Sequence, residues 1–353
     1  MKILLLSRYE RNGSSSRVRF YQYIPYLAAK GIEVAVAPLL GNDYVDSLQP
    51  GRRTSPVRIG RAYLRRLLDL LKCRDYDLLW VEGEFLPWLP GLFETVFPRL
   101  KIPYVVDYDD AIFHRYDLHL NPLVRLVLGK KIDSVMRRSA LVIAGNAYLA
   151  DRAEKAGAKR VEILPSVVDL RLYHAACRSE NRRFTIGWIG SPSTAKYLEL
   201  AVPALKETCA GSDACMLSIG SDPGVFGGMP VEVRTWSEDT EVSDMGCFDV
   251  GIMPLPDEPW TRGKCGYKLI QYMASRLPVI ASPVGVNKEI VRQGVNGFLA
   301  GTTDEWFHSL QTLRKKPELR KQMGEAGRRI VASKYCMEVT APQLTGLLLS
   351  AVK

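Results

Sequence analysis

The chain has 353 residues, 47% of them hydrophobic, and a net charge of +10; that length exceeds what a single core usually supports and asks for two. No run approaches the roughly 20 apolar residues of a membrane span, and seven scattered cysteines without a CxxC pair argue against a disulfide framework or a zinc site, so a reducing cytoplasm is the expected compartment. The charge is uneven, with 27 Lys and Arg against 19 Asp and Glu in residues 1–172 and 21 against 19 in the remainder.

Met1 to Arg8 holds too short an apolar run for a signal peptide and no cleavage site follows, so it reads as a first buried strand. Strands are predicted at 2–7, 32–37, 77–82, 103–107, 140–144 and 161–164. A polar, arginine-rich break at 178–183 precedes a second series at 184–189, 215–219, 231–235, 248–253, 278–281 and 297–300. Residues 303–350 read as helical, with stop signals at Pro317 and Gly327. Two successive βα series predict an α/β chain of two doubly wound parallel sheets, with ligands at the carboxyl ends of strands.

Two basic stretches in the first half, Arg61 to Arg66 and Leu123 to Arg138, have helical periodicity. They fit a surface lying on anionic lipid or a phosphate-bearing substrate, and they also fit a solvated helix face over a core, the simpler reading. Nucleic acid is not expected, since no aromatic-studded basic strand or recognition-helix pattern accompanies the charge. The loop from Arg8 to Arg19 follows the first strand and precedes a helix expected near Arg17. Its small residues, Ser14 among them, with Arg17 and Arg19, suit either an anion site or a plain polar loop. It is neither a GxGxxG turn nor a P-loop.

A matching loop opens the second series, Gly187 to Lys196. Gly190 ends the strand, and Ser191, Ser193 and Thr194 offer hydroxyls and amides to a phosphate near Lys196, although Ser and Thr are also ordinary helix caps. Residues 262–300 add a helix expected from near Lys264, which would align Lys264, Lys268 and Gln271 on one face. A core strand Leu277 to Ala281 and a turn at Ser282 to Gly285 follow.

Together these segments resemble the nucleotide-binding half of family-4 (group 1) retaining glycosyltransferases of the GT-B fold. The resemblance is carried by Asp249 to Pro254, Lys268 to Ala274, Leu277 to Ala281, Gly285 to Ile290, Gly294 to Phe298 and Leu319 to Arg328. The first half resembles the family less closely, through Gly31 to Val34, Ala144 to Asn146 and Leu164 to Asp169. The resemblance implies two Rossmann-like domains facing across a cleft. Residues 1–175, completed by a crossover helix at 335–353, would take the acceptor, and residues 183–334 the nucleotide diphosphate-sugar.

It further implies that Lys268, assisted by Arg262 and Lys264, stabilises the leaving diphosphate without metal or cofactor. Gly220, Thr235 and Trp236 would flank the base, Gln271 the ribose, and Glu289 the sugar hydroxyls. The family's paired glutamates would fall on Gly263 and Gln271, so both are absent, and a divergent bacterial-type subgroup is implied. Asp107, Asp109 and Asp110 at a strand end fit either a metal-holding DxD motif or an acceptor-facing cluster. In the second case Asp109 or Asp110 would orient or deprotonate a hydroxyl, with Ser14, Arg17, Arg19, Glu84 and His114 on the acceptor side; capping or structural roles for the aspartates are equally open. The expected activity is sugar transfer to a glycan or lipid-linked acceptor by a cytoplasmic protein, peripheral on the membrane if the basic surface meets anionic lipid. A nucleotide-sugar-binding protein without turnover and an epimerase or hydrolase on the same fold are the alternatives.

Overall fold

The computed structural model describes residues 1–47, 55–91, 102–173, 183–211 and 213–352. The chain divides into two compact units. The first comprises Met1–Ser166, Gly263–Cys265 and Thr340–Lys353; the second comprises Val167–Arg262 and Gly266–Val339. Most of the predicted break at 178–183 lies outside the described residues. The chain leaves the first unit at Ser166, earlier than the expected residue 175. The reason is local: the Val168 amide donates to the Tyr335 carbonyl at 3.2 Å and the Met337 amide to the Val168 carbonyl at 3.1 Å, which ties Val168 to the second unit.

In the first unit β1 (Lys2–Leu6), β2 (Glu33–Val36), β3 (Leu78–Glu82), β4 (Tyr104–Tyr108), β5 (Leu141–Ala144) and β6 (Val161–Ile163) form one parallel sheet in the order β2-β1-β3-β4-β5-β6. The central strands read LLWV, YVVDY and LVIA because helices cover both faces of a parallel sheet, so inward and outward positions are alike apolar. The last helix, Met337–Ser350, joins this unit from Thr340 onward. Thr340 shares a 2.9 Å hydrogen bond with the Tyr23 hydroxyl, and Arg160 donates to Ser350 at 2.8 Å.

The second unit repeats the plan with β7 (Phe184–Ile189), β8 (Ala214–Ile219), β9 (Glu232–Arg234), β10 (Val250–Met253), β11 (Val279–Ala281) and β12 (Gly297–Leu299), in the order β12-β11-β10-β7-β8-β9. Two helical expectations change. The helix expected from near Lys264 begins at Tyr267, because Gly266 sits in the left-handed region at φ +68° and breaks the run; a short helix, Pro259–Arg262, precedes it. Gly327 does not stop a helix; it lies inside Pro317–Lys334, where a Cβ would sit 2.9 Å from Met273 Cγ. The glycine lets this helix pack closely on helix Tyr267–Ala274. Among the described residues no helix is long and apolar enough to cross a membrane.

Candidate functional site

In the second unit, the ends of β7 and β8 and the start of helix Tyr267–Ala274 converge. Gly190 follows β7, and a side chain there would meet the Trp188 ring at 2.6 Å and Lys268 Cε at 2.7 Å. Gly220 follows β8 at φ +82°, where a Cβ would strike the Gly190 carbonyl and approach Trp236 Cβ at 3.3 Å. Two glycines thus allow two loops and a lysine to occupy one spot that any larger residue would fill. The Lys268 ammonium lies 5.5 Å from the ring centroid of buried Trp188, which holds the cation at the strand ends. Trp236 is half-buried and donates from its indole to Glu241 at 3.0 Å, so its ring is fixed. Gly190, Gly220, Trp236 and Lys268 are therefore neighbours.

Others from that set stand differently. Ser191 and Ser193 share a 2.9 Å hydroxyl contact, and the Thr194 hydroxyl donates to the Ser191 carbonyl at 3.0 Å, so these groups brace their own turn. Lys196 is exposed, its ammonium 5.2 Å from the Tyr197 ring centroid. Thr235 and Glu289 are exposed. Gln271 is buried and donates to the Tyr173 hydroxyl at 3.3 Å. Arg262 pairs with Asp257 at 2.6 Å.

Lys264 belongs to the first unit, where its ammonium meets both Asp110 oxygens at 2.9 Å. Residues 263–265 are held there by Asn146, whose amide donates to the Gly263 and Lys264 carbonyls at 3.0 Å each. Gly263 has no room for the family's glutamate, since a Cβ would lie 2.5 Å from Ala111 Cβ. Asn146 also caps the next helix by accepting from the Leu149 amide at 3.0 Å. Its sequence context, Ala-Gly-Asn after a strand, signalled the cap but not the clamp.

A cavity of about 50 Å³ opens at the carboxyl ends of β1, β3 and β4, lined by charged Arg8, Glu82, Asp109, Asp110 and Arg115 together with apolar surface that includes Ile112. That volume holds a few waters or a polar substituent of a larger molecule. Asp109 is pushed above the usual carboxylate range by burial and by the adjacent Asp110 charge. Asp107, with Arg19 Nε donating to it at 2.8 Å, is pushed up to about 6 by burial.

Glu82 accepts from the Arg8 amide at 2.7 Å and the Ser16 hydroxyl at 2.6 Å, and burial pushes it up to about 7. The sequence offered both Glu82, the last residue of β3, and Glu84 just beyond it to the acceptor side. Gly83 at φ +70° reverses the chain between them and turns Glu84 inward. Glu84 pairs with Lys131 at 2.7 Å and accepts from Tyr116 at 2.9 Å, all buried. Arg19 is likewise committed inward, to Asp107 and the Leu164 carbonyl, and Arg17 is buried. The helix of this loop begins at Ser14 rather than near Arg17. Ser14 is exposed, while Ser15 lines the cavity. His114 bridges Asp117 at 2.8 Å and Tyr148 at 2.9 Å, outside the cavity lining.

The Glu82 shift has a measurable consequence. Its folded value lies above the ordinary 4.5, so stability is fully present below that value and is lost as pH rises through about 7. Glu82→Gln keeps an acceptor oxygen and removes the loss. Because Glu82 is half-buried and water relieves part of the penalty, the variant is expected to gain about 1–2 kcal/mol over wild type at alkaline pH, with little difference in acid. Denaturant titrations across pH read it; a difference that does not grow with pH contradicts it.

Residues 259–330 match the family model described as glycosyl transferases group 1. No curated protein matches the chain. Anabaena HepE, solved in complex with UDP-glucose, has a similar fold over 99% of this chain and 100% of its own, with a TM-score of 0.73 at 18% identity. Sucrose-phosphate synthase from Thermosynechococcus elongatus aligns over 98% of both chains, with a TM-score of 0.71 at 16% identity. WaaG, a glycosyltransferase involved in lipopolysaccharide biosynthesis, aligns over 99% of both, with a TM-score of 0.70 at 14% identity. The group 1 match is confined to residues 259–330, and the likeness to these solved structures shows that the chain has the GT-B fold, two α/β units each built on a parallel six-stranded sheet.

Proposed function

We propose that this protein is a glycosyltransferase that moves a sugar from a nucleotide diphosphate-sugar to a hydroxyl of a glycan or lipid-linked acceptor, with retention of anomeric configuration, at the inner face of the cytoplasmic membrane. The observation that carries the donor assignment is the convergence of Lys268 with Gly190 and Gly220 at the ends of β7 and β8. A departing diphosphate develops charge on its oxygens, and a fixed cation beside them lowers the barrier most when it need not reorganise. Lys268, seated against Trp188, meets that requirement. Trp236 offers a ring to the base, and exposed Ser191 and Ser193 offer amides to the phosphates. On the acceptor half, Glu82 and Asp109 give the cavity acceptors for substrate hydroxyls.

UDP-glucose is the first donor to test, because HepE of similar fold was solved with it. Release of UDP, followed with and without a chelator, is expected to be undiminished by the chelator, and the product's anomeric proton is expected to report the donor's own configuration. Loss of activity in chelator would return Asp107 and Asp109 to a metal-binding role, and an inverted product would overturn retention. Binding of a panel of nucleotide-sugars without turnover would favour a binding protein, the reading suggested by Gly263 and Gln271 in place of carboxylates.

A further inference from the structure

The cavity of the first unit carries more positive charge than the binding of sugar hydroxyls needs. Arg8 and Arg115 line it together with Glu82, Asp109 and Asp110. Much of the acid around it is matched by a cation of the same unit. Lys264 meets both Asp110 oxygens at 2.9 Å, Arg19 holds Asp107 at 2.8 Å and Lys131 holds Glu84 at 2.7 Å. Glu82 and Asp109 remain, and both lean toward the protonated form. Burial pushes Glu82 up to about 7, and burial with the Asp110 charge raises Asp109.

The arginines are in the opposite condition. The Arg8 guanidinium lies 5.5 Å from the Tyr9 ring centroid, and its Nε is buried with no hydrogen-bond partner among the described residues. Burial opposes its charge, and Tyr9, Glu84 and Glu82 together outweigh the burial. Arg115 is held less well: burial and the Arg8 charge push it below arginine's ordinary value in spite of Tyr9, Asp110 and Glu84. Behind them, Arg66 is buried and donates to the Ser7, Ala37 and Phe85 carbonyls at 2.5, 3.0 and 3.2 Å. Burial pushes it down to about 10 although Asp69 and Glu82 favour its charge. Two guanidiniums that repel each other in one small cavity, backed by a third, call for an anion.

Guanidinium forks take carboxylate or phosphate. The acidic wall chooses between them. A phosphate monoester is nearly doubly charged at neutral pH and would stand beside Asp109 and Asp110, whereas a carboxylate brings a single charge. The same wall asks for hydroxyls. The Arg8 amide and the Ser16 hydroxyl both donate to Glu82 Oε2, so among the described residues Oε1 is left for a ligand. A sugar ring bearing a carboxylate supplies both chemistries at once, and Ile112 adds apolar surface for the ring's C–H face.

We infer that the acceptor's terminal sugar carries a carboxylate, as a uronic acid does, seated on Arg8 and Arg115 with its hydroxyls on Glu82 and Asp109. The inference rests on the reading that puts the acceptor in this cavity and names the acceptor's class; its test contains no nucleotide, so its failure leaves the donor reading standing.

The test is a ligand-observed NMR titration of the full chain with methyl glucuronide, methyl glucoside and glucose 6-phosphate at fixed ionic strength. The glucuronide is expected to bind about tenfold more tightly than the glucoside, and more tightly than the phosphate. Arg8→Gln and Arg115→Gln should each bring the glucuronide to within about threefold of the glucoside, since each removes one fork. Arg115→Gln is expected to keep the wild-type thermal midpoint, because burial and Arg8 already oppose the charge it removes. If either variant fails to fold, the three probes on wild type still decide. A glucuronide that binds wild type no better than the glucoside, or not at all up to about 50 mM, overturns the inference. So does tighter binding of glucose 6-phosphate, which assigns the arginines to a phosphate, or a preference for the glucuronide that survives in both folded variants.

Discussion

Lys268→Ala is expected to slow release of nucleotide from the sugar donor by about 10²–10³-fold, the loss that follows removal of one preorganised charge-stabilising group. The lysine lies against the Trp188 ring and Gly190, and a thermal midpoint like that of wild type is the expected check that the variant still folds. Lys268→Arg is a stringent companion. The side chain threads a space where glycine was needed, and a planar guanidinium will not sit over the tryptophan in the same place. It should recover less than a tenth of the activity. Initial rates with a saturating donor read both variants, and full activity in Lys268→Ala would remove this lysine from the leaving-group role.

The largest expected effect on stability is at Glu84. Its carboxylate and the Lys131 ammonium are 1% and 0% exposed at 2.7 Å, and Tyr116 and the Leu86 carbonyl fill their remaining valences. Breaking such a pair from one side strands a buried charge, at a cost of about 3–5 kcal/mol. Glu84→Leu should therefore lower the midpoint of the first unit by about 10 °C or more. Lys131→Met added to it should restore much of the loss, because two apolar groups replace both charges. Differential scanning calorimetry distinguishes this from a merely local defect: equal losses in the single and double variants would show that shape, not charge, is what the site requires.

The strands were legible because a parallel sheet covered on both faces demands continuous apolar runs, and LLWV, LVIA and VGIM have no other simple reading. The positions of Gly190, Gly220 and Trp236 just beyond strand ends, and of Lys268 at the start of a helix, were legible through motif order; their roles toward a donor are the proposal. What escaped the sequence depended on contacts distant along it. Lys264 looked like the first turn of a helix, and only the Asn146 clamp and the left-handed Gly266 show that it joins Asp110. Glu82 and Glu84 are indistinguishable in composition; the reversal at Gly83 sends one to the cavity and the other into the core. Gly327 carried the mark of a helix end, yet its lack of a side chain serves a crossing with Met273 that periodicity does not reveal. Arg19 and Lys131 looked like surface cations because their acidic partners lie far away in the chain.

The proposed reaction places the donor's diphosphate in the second unit, beside Lys268. Photolabelling with UDP-glucose carrying a photoreactive base, followed by peptide mapping, tests it most directly. Label is predicted on peptides from the second unit, at or near Trp236 and the Gly190 and Lys268 strand ends, and should be displaced by UDP. Displaceable label confined to residues 1–166 would contradict the assignment.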